Sequence, residues 1–159
     1  MPDFFQWLYE LPISQTVRET TWGFPALEAL HIYCMVLLVM LIAVVDVRFL
    51  GLRMEGQQRQ PLSQLTARVL RWASVAFGAN AITGTLLFAG RAPDYYVNSA
   101  FRVKMLLVFV ALVYHRAVLP VVARREDVSP RPIASKLVGG FSLALWMAVI
   151  AASRWIAYV

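Results

Sequence analysis

The 159-residue chain is short of the residues that soluble catalysts and nucleic-acid binders rely on. It has one cysteine, two histidines and nine acidic residues, and only 15% of its residues are charged. The lone Cys34 cannot close an internal disulfide, so cysteine usage carries no information on redox compartment. No glycine-rich phosphate loop, CxxC pair or Ser/His/Asp series is present. The longest hydrophilic stretch, RMEGQQRQPLSQ at residues 53–64, is too short for a second domain. The net charge of +6 comes without the clustered soluble face that a nucleic acid would need.

What the chain does have is apolar length. It is 60% hydrophobic, with a mean hydropathy of +0.62. A soluble domain of this size has too little interior to hide so much apolar surface. No Asp, Glu, Lys or Arg occurs between Glu28 and Asp46, between Arg71 and Arg91, or between Lys136 and Arg154. A further run, from Met105 to Ala123, is interrupted only by His115 and Arg116. Each run approaches the ~20 residues a helix needs to cross ~30 Å of hydrocarbon. The reading is an all-α membrane protein, a four-transmembrane-helix bundle forming a single domain, with spans near 22–50, 64–90, 101–123 and 135–158.

The first span is not expected to be a cleaved signal, because its forerun reads MPDFFQWLYELP, acidic and aromatic rather than basic. Phe4, Phe5, Trp7, Leu8 and Leu11 fall largely on one side of a short helix, about residues 3–11, that suits the membrane surface and ends at Pro12. Arg48, Arg53, Arg59, Arg68 and Arg71 surround the first loop, and Arg116, Arg124, Arg125, Arg131 and Lys136 the third. The second has only Arg91, Arg102 and Lys104. The positive-inside rule then puts the first and third loops in the cytoplasm and both termini outside. In a bacterial inner membrane that outside is the periplasm. The second loop, with Tyr95 and Tyr96, fits an interfacial belt, and the third loop, ARREDVSPRPIASK, is charged and proline-bearing.

Polar residues inside spans are costly and mark function by default. Glu28, His31 and Met35 share one face of span 1, with Cys34 beside them. On this topology Asn80, Thr83, Arg102, Lys104 and Arg154 join Glu28 and His31 in the outer half, while Asp46, His115 and Arg116 lie in the inner half. A b-type haem between spans 1 and 3 would take His31 and His115 as axial ligands, with Arg102, Lys104 and Arg154 pairing its propionates. Small residues Ser74, Gly78 and Gly84 on span 2 would admit a neighbouring helix or a flat ring. Depth argues against this haem, since the two histidine backbones come out roughly 13 Å apart at 1.5 Å per residue. A copper ion on His31, Cys34 and Met35 is a less favoured reading. A purely structural role for His31 is a hydrogen bond to Glu28 or a neighbouring helix, and for His115 a pairing with Asp46. Arg154, within the span, is expected to meet Glu28 or a bound anion.

The segments FPALEALHIY, DVRFLGLR, ITGTLLFA, FRVKMLL, YHR and SRWIAYV, which together run along almost the whole chain, resemble an uncharacterised group of small bacterial four-span proteins. More distantly the layout is similar to membrane cytochromes of the b561 type and to the membrane part of copper-resistance CopD proteins. That second resemblance implies at most one bis-histidine haem, because the chain has two histidines where the di-haem members use four. The expected function is a small electron-transfer or anchor subunit carrying one haem b, serving a periplasmic or membrane redox partner or a larger complex. The alternative is a cofactor-free subunit, not an enzyme, that docks a partner or passes a small solute or copper through the outer polar cluster.

Overall fold

The computed structural model describes residues 3–52 and 60–158. Eight α-helices follow one another among these residues, with no strand: α1 (Asp3–Glu10), α2 (Pro12–Glu19), α3 (Gly23–Phe49), α4 (Leu62–Gly90), α5 (Ala92–Val97), α6 (Ser99–Ala117), α7 (Leu119–Val128) and α8 (Pro132–Trp155). A 3₁₀ turn at Ile156–Tyr158 closes the described chain. Four helical stretches are long and apolar enough to cross a membrane: α3, α4, α6 together with α7, and α8. Only 17% to 33% of each apolar stretch is buried, so most of the apolar surface faces outward, where a bilayer rather than water suits it.

Local chemistry sets the helix ends. Gly51, at φ +85°, ends α3 in the left-handed conformation that glycine adopts without a Cβ penalty. The Gly51 amide donates to the Arg48 carbonyl at 3.1 Å and the Leu52 amide to the Val47 carbonyl at 3.1 Å, the paired bonds of a Schellman ending. α4 starts after Pro61 with no cap from its own side chains. Asp127 of α7 supplies it, accepting from the Leu62 amide at 2.7 Å and the Ser63 amide at 3.0 Å. Asp127→Ala is expected to lower stability by about 1 kcal/mol, the usual worth of an N-cap, read as a lower thermal midpoint in detergent.

α3 packs along α4 on one side and against α8 on the other, α8 packs on α6, and α7 leans on α4. One core cluster joins Leu38 and Ile42 of α3, Ala73 and Ala76 of α4, Ala111 of α6, and Leu145, Trp146 and Val149 of α8. A second, further along, joins Val45 and Phe49 to Leu62, Leu65 and Val69 and to Leu119 and Ala123 of α7. One end of the bundle is aromatic. There Phe101 stacks on Phe88 at 5.2 Å and on Tyr95 at 5.4 Å, and Phe5 of α1 meets Phe88 edge-on at 6.1 Å. Trp7, Trp22, Trp155 and Tyr158 stand exposed around it, as interfacial aromatics do. The opposite end is basic, with Arg68, Arg71, Arg124, Arg125, Arg131 and Lys136 exposed. Arg53 and Arg59, counted above toward its charge, lie outside the described residues.

The sequence expectations need two changes. The short helix before the first span stops ahead of Pro12 as expected, at Glu10, and a second, unexpected helix follows it. Pro12 opens this α2 at its first turn, where a missing amide proton costs nothing, and the buried Ser14 hydroxyl donates to the Leu8 carbonyl at 2.9 Å. The third span does not stop at 123. α6 breaks at Val118, ahead of Pro120, and α7 carries the helix through the charged residues to Val128. It continues because Leu119 and Ala123 are fully buried and Asp127 caps α4.

Candidate functional site

The interior polar residues form two separate groups. Toward the aromatic end, His31 of α3 lies against α4. Its Nδ1 is 3.0 Å from the Thr83 Oγ1, and the Asn80 side-chain amide donates to the His31 carbonyl at 3.0 Å. Thr83 sends its own hydroxyl proton to the backbone carbonyls of Ala79 and Asn80, both at 3.0 Å, so its oxygen accepts from His31 and Nδ1 carries the proton. Nε2 of His31 has no hydrogen-bond partner among the described residues. The ring rests on Gly84, where an added Cβ would come within 3.0 Å of Cε1. Of the small residues in span 2, Gly84 is therefore the one that admits a ring, and Gly78 faces open space. Lys104, half-buried on α6, is within electrostatic reach of His31.

Deeper in the bundle, α3, α6 and α8 bring together Asp46, His115, Ser142 and Trp146. Asp46 and Ser142 are fully buried, Trp146 is 3% exposed and His115 4%. Ser142 Oγ lies 2.7 Å from Asp46 Oδ2 and 3.0 Å from His115 Nε2. The Trp146 indole nitrogen, which can only donate, is 3.2 Å from the same Nε2. His115 Nδ1 faces the Ala111 carbonyl at 2.6 Å, and a carbonyl only accepts, so this nitrogen holds the ring proton. Asp46 Oδ1 is buried with no hydrogen-bond partner among the described residues. Beside the group, Arg116 donates to the Ser74 hydroxyl of α4 at 2.8 Å. A narrow crevice between α4 and α6, floored by Leu38, Ile42 and Trp146, reaches His115 and has room for about one water, roughly 20 Å³.

The structure does not bring His31 and His115 together. His31 and Asp46 are fifteen residues apart on one helix (46 − 31 = 15), about 22 Å along its axis at 1.5 Å per residue. His115 belongs to the Asp46 level, because a single serine bridges them. Both His115 nitrogens also face protein partners. The two rings therefore do not fit as the axial pair of one haem. The expected pairing of His115 with Asp46 is present, through Ser142.

The outer cluster is looser than the sequence suggests. Glu28 is exposed and its charge acts on Tyr95, while His31 bonds to Thr83 instead. Arg102 is exposed on α6. Arg154 does not meet Glu28. It is exposed at the end of α8, donating to the Tyr158 hydroxyl at 2.9 Å with its guanidinium over that ring. Met35 packs on the first core cluster, and no group of three or more His, Cys, Asp and Glu side chains suited to a metal occurs among the described residues. Ser142 and Trp146 were not singled out from sequence. Their signal was a serine and a tryptophan one helical turn apart at mid-span, where a tryptophan is out of place for an interfacial belt.

Residues 4–159 match the profile of a family of unknown function. The chain belongs to DUF6644, a family of unknown function. No curated protein and no solved structure matches it. For this DUF6644 member, Arg154→Leu is expected to leave stability within about 0.5 kcal/mol of wild type, because the exposed guanidinium bonds only to an exposed tyrosine. Thermal unfolding in detergent checks it; a large drop would return Arg154 to the interior cluster.

Proposed function

We propose that this protein is a small membrane subunit that passes protons through its bundle and carries no haem shared by its two histidines. The basic end faces the cytoplasm and both termini face the periplasm, following the positive-inside rule. The observation that carries the reading is the buried Asp46–Ser142–His115 group, with one carboxylate oxygen unpartnered among the described residues and His115 lining the crevice. Ionisable chains of this kind inside spans mark ion and proton paths. His31 and Lys104 are half-buried ionisable groups toward the opposite end of the same bundle.

The test is an acid jump on sealed lipid vesicles containing the purified protein and an internal pH dye. Wild type should acidify faster than empty vesicles, and Asp46→Asn should fall to the empty rate. Equal rates for all three overturn the reading.

One observation favours a second reading, an electron-transfer subunit. Thr83 fixes the His31 Nδ1 proton and leaves Nε2 unengaged, which is how a metal-bound imidazole is held. On that reading His31 alone would ligate a haem or copper ion, with Lys104 beside it for a propionate, and absorbance would be lost in His31→Ala and kept in His115→Ala.

A further inference from the structure

We infer that Asp46, Ser142 and His115 form a two-position proton relay whose state is read by Trp146; this deepens the proton reading above and rests on it. The hydrogens available to the group define its states. Trp146 donates to His115 Nε2, and Nδ1 donates to Ala111, so the ring is neutral with Nε2 as an acceptor. Ser142 has one hydroxyl hydrogen and two neighbours in reach, Asp46 Oδ2 at 2.7 Å and Nε2 at 3.0 Å. With Asp46 ionised, that hydrogen goes to the carboxylate. With Asp46 protonated, Oδ2–H donates to Ser142 Oγ and the serine hydrogen turns to Nε2, taking the single lone pair that the Trp146 N–H otherwise occupies. From this second arrangement the transfer is direct. The Asp46 proton passes to Ser142 Oγ as the serine hydrogen passes to Nε2, leaving a carboxylate, an intact serine and an imidazolium. One O–H bond breaks at each oxygen donor, one forms at Ser142 and one N–H forms at His115, so the charge moves by one group and the atoms balance.

An Nε2 that holds a proton no longer accepts from Trp146, whose indole also lines the crevice. The tryptophan must then release the ring, which ties the relay to the shape of the crevice. Few other charges face the group. α3 contributes Asp46 and, two residues on, the partly buried Arg48, which donates to the Gln60 carbonyl; α6 itself contributes Tyr114, which donates to the Val138 carbonyl, and Arg116, which donates to Ser74. Arg68 and Arg71 of α4, Arg124 and Arg125 of α7, and Lys136 of α8 are all exposed.

The test uses the full chain in nanodiscs with Trp7, Trp22, Trp72 and Trp155 changed to Phe, so that Trp146 alone fluoresces. An imidazolium quenches indole emission, so emission should fall on acidification, and the fall should be absent in His115→Gln. In Asp46→Asn and in Ser142→Ala its midpoint should move to the acid side by about one pH unit or more, since the imidazolium loses its carboxylate or the bridge to it. A quench that survives in His115→Gln, or one midpoint shared by wild type, Asp46→Asn and Ser142→Ala, overturns the relay. The vesicle assay is separate. A coupled quench with no vesicle acidification overturns conduction and keeps the relay; acidification with an uncoupled quench overturns the relay and keeps conduction.

Discussion

Gly139→Leu is expected to yield no folded bundle. A Cβ at this position on α8 would lie 2.8 Å from the Asp46 carbonyl oxygen and 2.8 Å from the Phe49 Cβ. Neither atom is the tip of a flexible chain; both move only if α3 moves. α3 is held there by Val45, Asp46 and Phe49, all buried at 1% or less exposure. Gly139→Ala already forces the two helices apart and should cost about 1–3 kcal/mol, the range for overpacking. The neighbouring Gly140 meets nothing within 4 Å. Gly140→Ala should be neutral or stabilising by up to about 1 kcal/mol through helix propensity. Size-exclusion profiles and thermal midpoints of the three variants in one detergent give the comparison, and a well-folded Gly139→Leu would remove the close α3–α8 contact from the account.

The second large effect separates the two histidines. His115→Ala strands the Trp146 N–H in the interior, while the Ser142 hydroxyl keeps Asp46, and opens a hole beside them; it should cost about 3–5 kcal/mol. His31→Ala removes one half-buried hydrogen bond to Thr83, and Thr83 keeps its bonds to the α4 backbone, so about 1 kcal/mol is expected. Equal destabilisation by the two would mean that the rings share one environment.

Much of the fold was legible because hydrocarbon imposes a simple rule on sequence: charge-free runs of helical length become spans. The ends of α3 and α4 fall within two residues of the expected 22–50 and 64–90. The extension of the third span to Val128 was not legible, since RRED reads as loop until Asp127 is seen capping a helix more than sixty residues earlier in the chain. The same distinction divides the site. His31, Asp46, Asn80, Thr83 and His115 stand out as polar residues in apolar runs. Which of them meet depends on helix rotation and on small-residue contacts, at Gly84 for His31 and at Gly139 for Asp46, and neither glycine names its partner in the sequence. Ser142 was lost because serine is common in spans and its meaning lies in bridging residues from two other helices. Arg154 was misplaced because a position one turn from a helix end reads as interior, whereas its side chain reaches Tyr158 and the surface.

The most direct test of the central claim, that the two histidines serve separate sites and His115 is engaged by Ser142 and Trp146 rather than by iron, is an optical difference spectrum. It is taken on purified wild type, His31→Ala and His115→Ala, each from haem-replete cells, reduced minus oxidised. The account predicts no sharp α-band of six-coordinate haem in any of the three. A sharp α-band in wild type that disappears in both variants would contradict it, because one iron would then be held by both rings.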